Sequence, residues 1–147
     1  MRSILTTIIL AAALVAFSVD SASASAKGLS ATVNGPPEVQ RVGNSYLVTI
    51  NVRRTGGWIA KFCFDFGDDN NSWKVVMPGL RAYDGDAFCF GTLRSRKKQF
   101  VARIIAAKTG QKKLEVCLGH ATIYKEANNV VLDDNQLCWS DSFVLVG

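Results

Sequence analysis

Apolar residues at every second position, in short runs cut by turn residues, constrain this chain more than any other feature. From Ser45 to Arg53, Tyr46, Val48, Ile50 and Val52 share one phase, and Thr49, Asn51 and Arg53 share the other. Successive side chains of an extended strand point to opposite faces, so this pattern predicts a strand with one buried face. Trp58, Ala60, Phe62, Phe64 and Phe66 repeat it, with Lys61, Cys63 and Asp65 opposite. Five inward positions, four of them aromatic, predict the central strand. Phe100, Ala102, Ile104 and Ala106 alternate in the same way, with Arg103 outward. Alanines there also suit a helix, but Val101, Ile104 and Ile105 are β-branched and Thr109-Gly110 ends the run, which favours a strand.

Shorter pieces fill in the pattern. Leu29 to Val33 reads as an edge strand that changes direction at Asn34-Gly35-Pro36-Pro37. Trp73 to Met77 stops at Pro78-Gly79, and Phe88-Cys89-Phe90-Gly91 is a second short apolar piece. Lys112 to His120 points Leu114, Val116 and Leu118 inward. Leu137, Trp139, Phe143 and Leu145 share one phase, which Asp141 interrupts, so a bulge or a frayed start is expected there. The polar segment between these two strands, through Asn128-Asn129 and Asp133-Asp134, reads as a loop. About seven strands separated by turns predict an all-β, antiparallel, immunoglobulin-like β-sandwich. In such a topology the strands at 58–66, 112–120 and 137–146 share a sheet, and Cys63, Cys117 and Cys138 project from its outer face.

The first residues read as a secretory leader. Arg2 supplies the positive end, Ile4 to Phe17 is uncharged and apolar or small, and Ala24-Ser25-Ala26 has the small-x-small pattern of a cleavage site. The apolar run falls short of the roughly 20 residues that span a bilayer. The expected organisation is a signal peptide over 1–26 and one domain over 27–147, secreted to the extracellular space or a periplasm without stable membrane insertion. Cys63, Cys89, Cys117 and Cys138 all follow the leader. An even number in a secreted chain predicts two disulfides. Pairing Cys63 with Cys89 and Cys117 with Cys138 closes the shortest loops; Cys63–Cys117 is a geometrically reasonable alternative. Zinc is disfavoured, because there is no C-x-x-C pair and one histidine.

The formal net charge is +5. That is mild for a nucleic-acid specialist, and no specific nucleic-acid partner is expected. Arg94, Arg96, Lys97 and Lys98, with Lys112 and Lys113 a hairpin away, form a candidate anion- or surface-binding pole. Asp65, Asp68, Asp69 and Asn70 offer oxygen ligands in one loop, a candidate calcium site and the single cofactor considered. Asn70-Asn71-Ser72 is a glycosylation sequon in a eukaryotic secretory route. His120 with Ser140, Asp141 and Ser142 lacks the context of a nucleophile motif, so no catalytic residue is expected and the chain is read as a non-enzyme. Trp58 and Trp139 have core parity, which leaves Trp73 as the tryptophan to watch for surface recognition.

Pro36-Pro37, Val42-Gly43, Tyr46 to Val52 and Thr55-Gly56-Gly57, with Gly110, Leu114-Glu115-Val116 and Glu126-Ala127-Asn128-Asn129 further on, resemble bacterial CARDB-type immunoglobulin-like domains. The chain departs from that family's pattern at Arg54 and in its four cysteines. The resemblance implies cell-surface adhesion or scaffolding, a protein or glycan partner at a cell surface, and no catalytic residues. A secreted inhibitor of a hydrolase, or a host-directed effector, acting through a rigid loop such as Gly67–Ser72 or Leu93–Lys98 is the alternative expectation.

Overall fold

The computed structural model of the protein describes residues 21–26, 28–35, 37, 39–67, 72–84 and 86–147, and of 21–26 only the backbone. In chain order the strands are β1 (Ser21–Ala26), β2 (Leu29–Asn34), β3 (Val39–Arg41), β4 (Ser45–Arg54), β5 (Ile59–Gly67) and β6 (Trp73–Val76). They continue with β7 (Arg81–Tyr83), β8 (Ala87–Leu93), β9 (Lys97–Ala106), β10 (Gly110–Tyr124), β11 (Asn129–Leu132) and β12 (Leu137–Val146). One sheet has the order β1-β2-β4-β9-β6; the other has the order β3-β12-β10-β5-β8-β7, with β11 paired to β10. All pairings are antiparallel except β12 with β3. This is a two-sheet, immunoglobulin-like β-sandwich. The strands exceed the expected number because the prolines and glycines near residues 35 and 78 cut off short pieces, and because the polar segment after His120 forms a hairpin of its own.

The expected cleavage point lies between β1 and β2, and residues 1–20 of the leader lie outside the described residues. Cleavage there would remove β1 and leave β2 as the edge it was read to be. No helix among the described residues is long and apolar enough to cross a membrane.

The strand at the middle of the second sheet justifies its aromatic run. Phe62 and Phe64 are fully buried and meet edge to face at 5.2 Å, and Phe100 of the opposite sheet closes on Phe64 at 4.8 Å. Offset and edge-to-face contacts of this kind add to the area that the rings bury. Trp73 is buried too, edge-on to Phe143 at 5.7 Å, and its indole N–H donates to the Lys113 carbonyl at 3.0 Å. That bond ties the first sheet to the second.

Both disulfides have the pairing that closes the shortest loops, Cys63–Cys89 and Cys117–Cys138. Each joins residues directly opposite on neighbouring strands. They do lie on the outer face of the second sheet, away from the main core. That face is nevertheless covered around Cys63. Beyond Gly119 the long strand β10 runs on with β11, and this hairpin brings Ala121 and Val130 down on Cys63, Cys89 and Ala87 as a second, smaller cluster. Asp84 N donates to Asn128 O at 2.9 Å and holds the hairpin tip against the β7–β8 turn. The segment read as a loop is therefore a structured flap, and Cys63 is fully buried beneath it.

Two expectations about side-chain phase need correction. The expected bulge at Asp141 is absent: β12 pairs with β10 without interruption from Leu137 to Leu145. Asp141 is simply exposed, and its Oδ1 accepts from Ser142 N at 2.8 Å. The real irregularity falls in β5, where the register against β8 shifts between Ile59 and Phe62 and again between Phe62 and Cys63. Lys61, which has no partner in this ladder, adopts φ 48°, and Gly91, opposite the next residue Phe62, adopts φ 111°. A bulge changes which face the preceding residues occupy. Ile59 packs on the core, while Trp58 and Ala60 are turned out. The two tryptophans have thus exchanged places relative to expectation: Trp73 is core and Trp58 is 66 % exposed.

Candidate binding surface

The first sheet presents an outer face with no carboxylate among the described residues. β2 contributes Ser30 and Thr32, β4 contributes Leu47, Thr49, Asn51 and Arg53, β9 contributes Lys97, Gln99, Val101 and Arg103, and β6 contributes Lys74 and Val76. Asn51 lies opposite Gln99, and Arg53 lies opposite Lys97. Like charges directly opposed on neighbouring strands destabilise a sheet. Here no acid on the face offsets that cost. Ser30, Thr32, Asn51, Arg53, Lys97 and Gln99 line a shallow hollow of about 480 Å³, so hydrogen-bonding groups and paired cations open onto the same space.

The corner beside this face is stiff. The chain crosses from β8 to β9 through residues 94–96, and Arg54 holds the crossing. Its backbone N–H donates to Arg96 O at 2.8 Å, and its guanidinium donates to Arg94 O at 2.9 Å and to Gly56 O. The Arg94 guanidinium lies 4.9 Å from the centre of the exposed Trp58 ring. Lys98 places its ammonium 5.0 Å from the Phe90 ring and 5.6 Å from that of Phe100. Cations over aromatic faces are attracted by the ring quadrupole, so two basic side chains of the corner are positioned rather than freely mobile.

Of the expected pole, Arg94, Arg96, Lys97 and Lys98 come together at this corner. Lys112 and Lys113 do not join them. Leu93 pairs with Ile59 at one end of β5, whereas Lys113 lies past the Gly67 end of the same strand, next to Glu115. β5 alone spans roughly 25 Å at the rise of a strand, with Lys113 beyond its end, and Lys113 forms an ion pair with Glu115 at 3.4 Å. The segment Leu93–Lys98 is a tight crossing rather than a projecting loop, because Leu93, Lys97 and Lys98 belong to strands.

Of the candidate calcium ligands, Asp65 stands on the outer face of β5, and Asp68, Asp69 and Asn70 lie outside the described residues, as do Asn70 and Asn71 of the sequon. No cluster of three or more metal-ligating side chains occurs among the described residues. Burial pushes the Asp65 carboxyl above its ordinary value of 3.8, and the negative charges of Asp86 and Glu115 push it the same way. The folded chain then holds the Asp65 proton more tightly than the unfolded chain does, so this residue's contribution to stability falls as pH rises above 3.8 and is most unfavourable at neutral pH. Asp65→Asn is expected to raise the melting temperature at pH 7 and to change it little at pH 3; calorimetry at the two pH values measures the difference.

His120 Nδ1 lies 2.5 Å from Asp133 Oδ2, with both side chains about half exposed. His120 pairs with Phe62 at the far end of β10, while Ser140 pairs with Glu115 and Ser142 with Lys113. The histidine therefore bridges its own hairpin and does not meet those serines.

The acid-free face was not read from the sequence, although a signal for it exists. Residues 39–64 and 87–114 contain no Asp or Glu, and they hold Arg53, Arg94, Arg96, Lys97, Lys98 and Arg103 among other cations. Every described carboxylate side chain lies on the second sheet or in its turns.

No family model matches the chain, and no curated protein matches it. Among solved structures, AvmM, which catalyses macrocyclization in alchivemycin A biosynthesis, is 15 % identical over 80 % of this chain and 88 % of its own, with a TM-score of 0.49. The cohesin module of a family 33 glycoside hydrolase from Clostridium perfringens is 9 % identical over 78 % of this chain and 94 % of its own, with a TM-score of 0.47. A family 123 glycoside hydrolase from Clostridium perfringens is 10 % identical with a TM-score of 0.46; the match covers 80 % of this chain and 27 % of that one.

Proposed function

We propose that the protein is a secreted, non-catalytic binding module that recognises an anionic protein or glycan at a cell surface through the basic face of its first sheet. The observation that carries this reading is the direct opposition of Arg53 and Lys97 on a face without a carboxylate among the described residues. An incoming sulfate, carboxylate or phosphate set between them would relieve a repulsion that the folded chain otherwise bears. Asn51, Gln99, Ser30 and Thr32 supply neutral donors and acceptors around the same hollow, and Trp58 offers a flat ring at its corner. Two cross-strand disulfides suit the oxidising compartment that this function requires. The sequence motifs that resemble CARDB-type domains, from Tyr46 to Val52 and at Thr55-Gly56-Gly57, imply the same adhesive role.

The test is retention on immobilised heparin and on immobilised polyglutamate as salt is raised. Salt screens exposed charges over about 8 Å at physiological ionic strength, so elution by moderate salt is expected. Arg53→Ser with Lys97→Ser should weaken binding about tenfold, or about 1.4 kcal/mol, while Lys112→Ser with Lys113→Ser should change it little. Equal effects of the two double variants, or no retention of the parent protein at low salt, would remove this face as the site.

A further inference from the structure

The strand that carries the basic face also has an open edge, and the backbone contacts show which groups point out of it. Arg96 O and Ala106 O accept from Arg54 N and Gly43 N, on the β4 side. Backbone groups alternate direction along a strand, so the even-numbered residues of β9 face β4. Lys97, Gln99, Val101, Arg103 and Ile105 then face the opposite way, which Ala107 N confirms by donating to Ser72 O at 2.8 Å on the β6 side. β6 covers only Arg103 to Ala106 of that side. The N–H and C=O groups of Lys97, Gln99 and Val101 therefore have no strand beside them among the described residues.

The edge is open for a local reason. Continuing β6 in register would place residue 78 opposite Val101, but Pro78 has no N–H to donate. Gly79, at φ 85°, then turns the chain away, closed by Leu80 N donating to Met77 O at 3.3 Å. The departing turn becomes a wall. Between it and β9 lies a cleft of about 310 Å³, lined by Leu47, Pro78, Leu80, Phe90, Lys98 and Val101 with neighbouring residues. Leu47 is 59 % exposed, and Phe90 and Val101 are each 39 % exposed. Unpaired strand groups beside apolar pockets are the arrangement that accepts an added strand, the backbone giving affinity and alternate side chains giving selectivity.

We propose that the β9 edge, from Lys97 to Val101, takes an extended acidic peptide segment of a partner protein as an added strand. Charge selects the occupant. Lys98 and Arg103 border the cleft, and no carboxylate among the described residues lines it. A second copy of this edge would bring Lys97 and Lys98 against themselves, which is how edge lysines discourage self-pairing. A segment alternating apolar and acidic residues fits both the pockets and the charge. This inference rests on the anion-binding reading and narrows its partner to a peptide.

The test uses the purified protein and a capped peptide of alternating valine and glutamate, with two controls: the same peptide N-methylated at alternate residues on either strand edge, and one in which lysine replaces glutamate. Expected is salt-sensitive binding of the first peptide with slowed hydrogen exchange at the amides of Gln99 and Val101, and binding at least about tenfold weaker for both controls. Val101→Pro deletes one outward N–H, a substitution that strand edges tolerate, and should weaken binding similarly. Should that variant fail to fold, the N-methylated peptides still decide the matter. Equal binding of the methylated peptides shows capture by charge alone and overturns strand addition. Heparin retention without peptide binding overturns it in favour of a glycan and leaves the anion-binding reading intact. Loss of both overturns both. A dimer that the peptide dissociates assigns the edge to a second copy of the chain and overturns the acidic partner.

Discussion

Phe64→Ala is expected to lower the unfolding free energy by about 3–5 kcal/mol, the range for truncating a buried aromatic ring. The site gives the cavity little chance to close. Phe64 is fully buried on the central strand β5, which has neighbours on both sides, and its ring contacts Phe62 at 5.2 Å and Phe100 at 4.8 Å. Both partners lie in strands fixed by ladders, and Phe100 also supports Lys98 and meets Phe90 at 5.2 Å. Loss of the Phe64 ring therefore removes a contact between the sheets as well as apolar area. Since typical domains are stable by about 5–15 kcal/mol, a substantial part of the total is at stake. Urea unfolding measures it; a loss under 1 kcal/mol would mean that the inter-sheet aromatic contact is not the core described here.

Removing the Cys63–Cys89 bridge by Cys63→Ala with Cys89→Ala is expected to cost about 3 kcal/mol from chain entropy alone. Its sequence separation is 26, and that of Cys117–Cys138 is 21, so on entropy the two bridges differ little. Their surroundings separate them. Cys63 is fully buried and Cys89 nearly so, under the hairpin of β10 and β11, and they form the floor on which Ala121 and Val130 pack. Cys138 is exposed. Deleting Cys63–Cys89 should therefore also loosen the hairpin, with faster hydrogen exchange at Ala121 and Val130, an effect that deleting Cys117–Cys138 lacks. Under mild reduction followed by alkylation, Cys117 and Cys138 should be labelled before Cys63 and Cys89, because the reductant must reach a sulfur to attack it. The reverse order of labelling would show that the hairpin does not shield the bridge.

Period-two alternation made the strands around β4, β9 and β10 legible, because a half-buried strand must alternate. Turn residues at 35, 56, 79 and 110 were legible for an equally local reason, since glycine and proline restrict or free the backbone wherever they occur. Loop length favoured the observed cysteine pairing, but strand phase left Cys63–Cys117 open until the registers of β5 with β8 and of β10 with β12 decided it. Trp58 could not be placed in this way. Its parity is that of Phe62 and Phe64, and the reversal comes from a bulge in which Lys61, a residue with no preference for positive φ, is held at φ 48° by the pairing of β5 with β8.

By itself, then, the sequence determined which segments extend, where they break, and that two covalent bridges hold an all-β chain. Those are consequences of short-range sterics and of side-chain phase. Only the tertiary structure decided that Arg53 faces Lys97, that Lys112 and Lys113 lie past the other end of β5 from the basic corner, and that β9 keeps an edge from Lys97 to Val101. Each depends on which strands become neighbours and in what register. A residue's charge and polarity state what it can bind, but the ladder across the sheet sets what stands beside it.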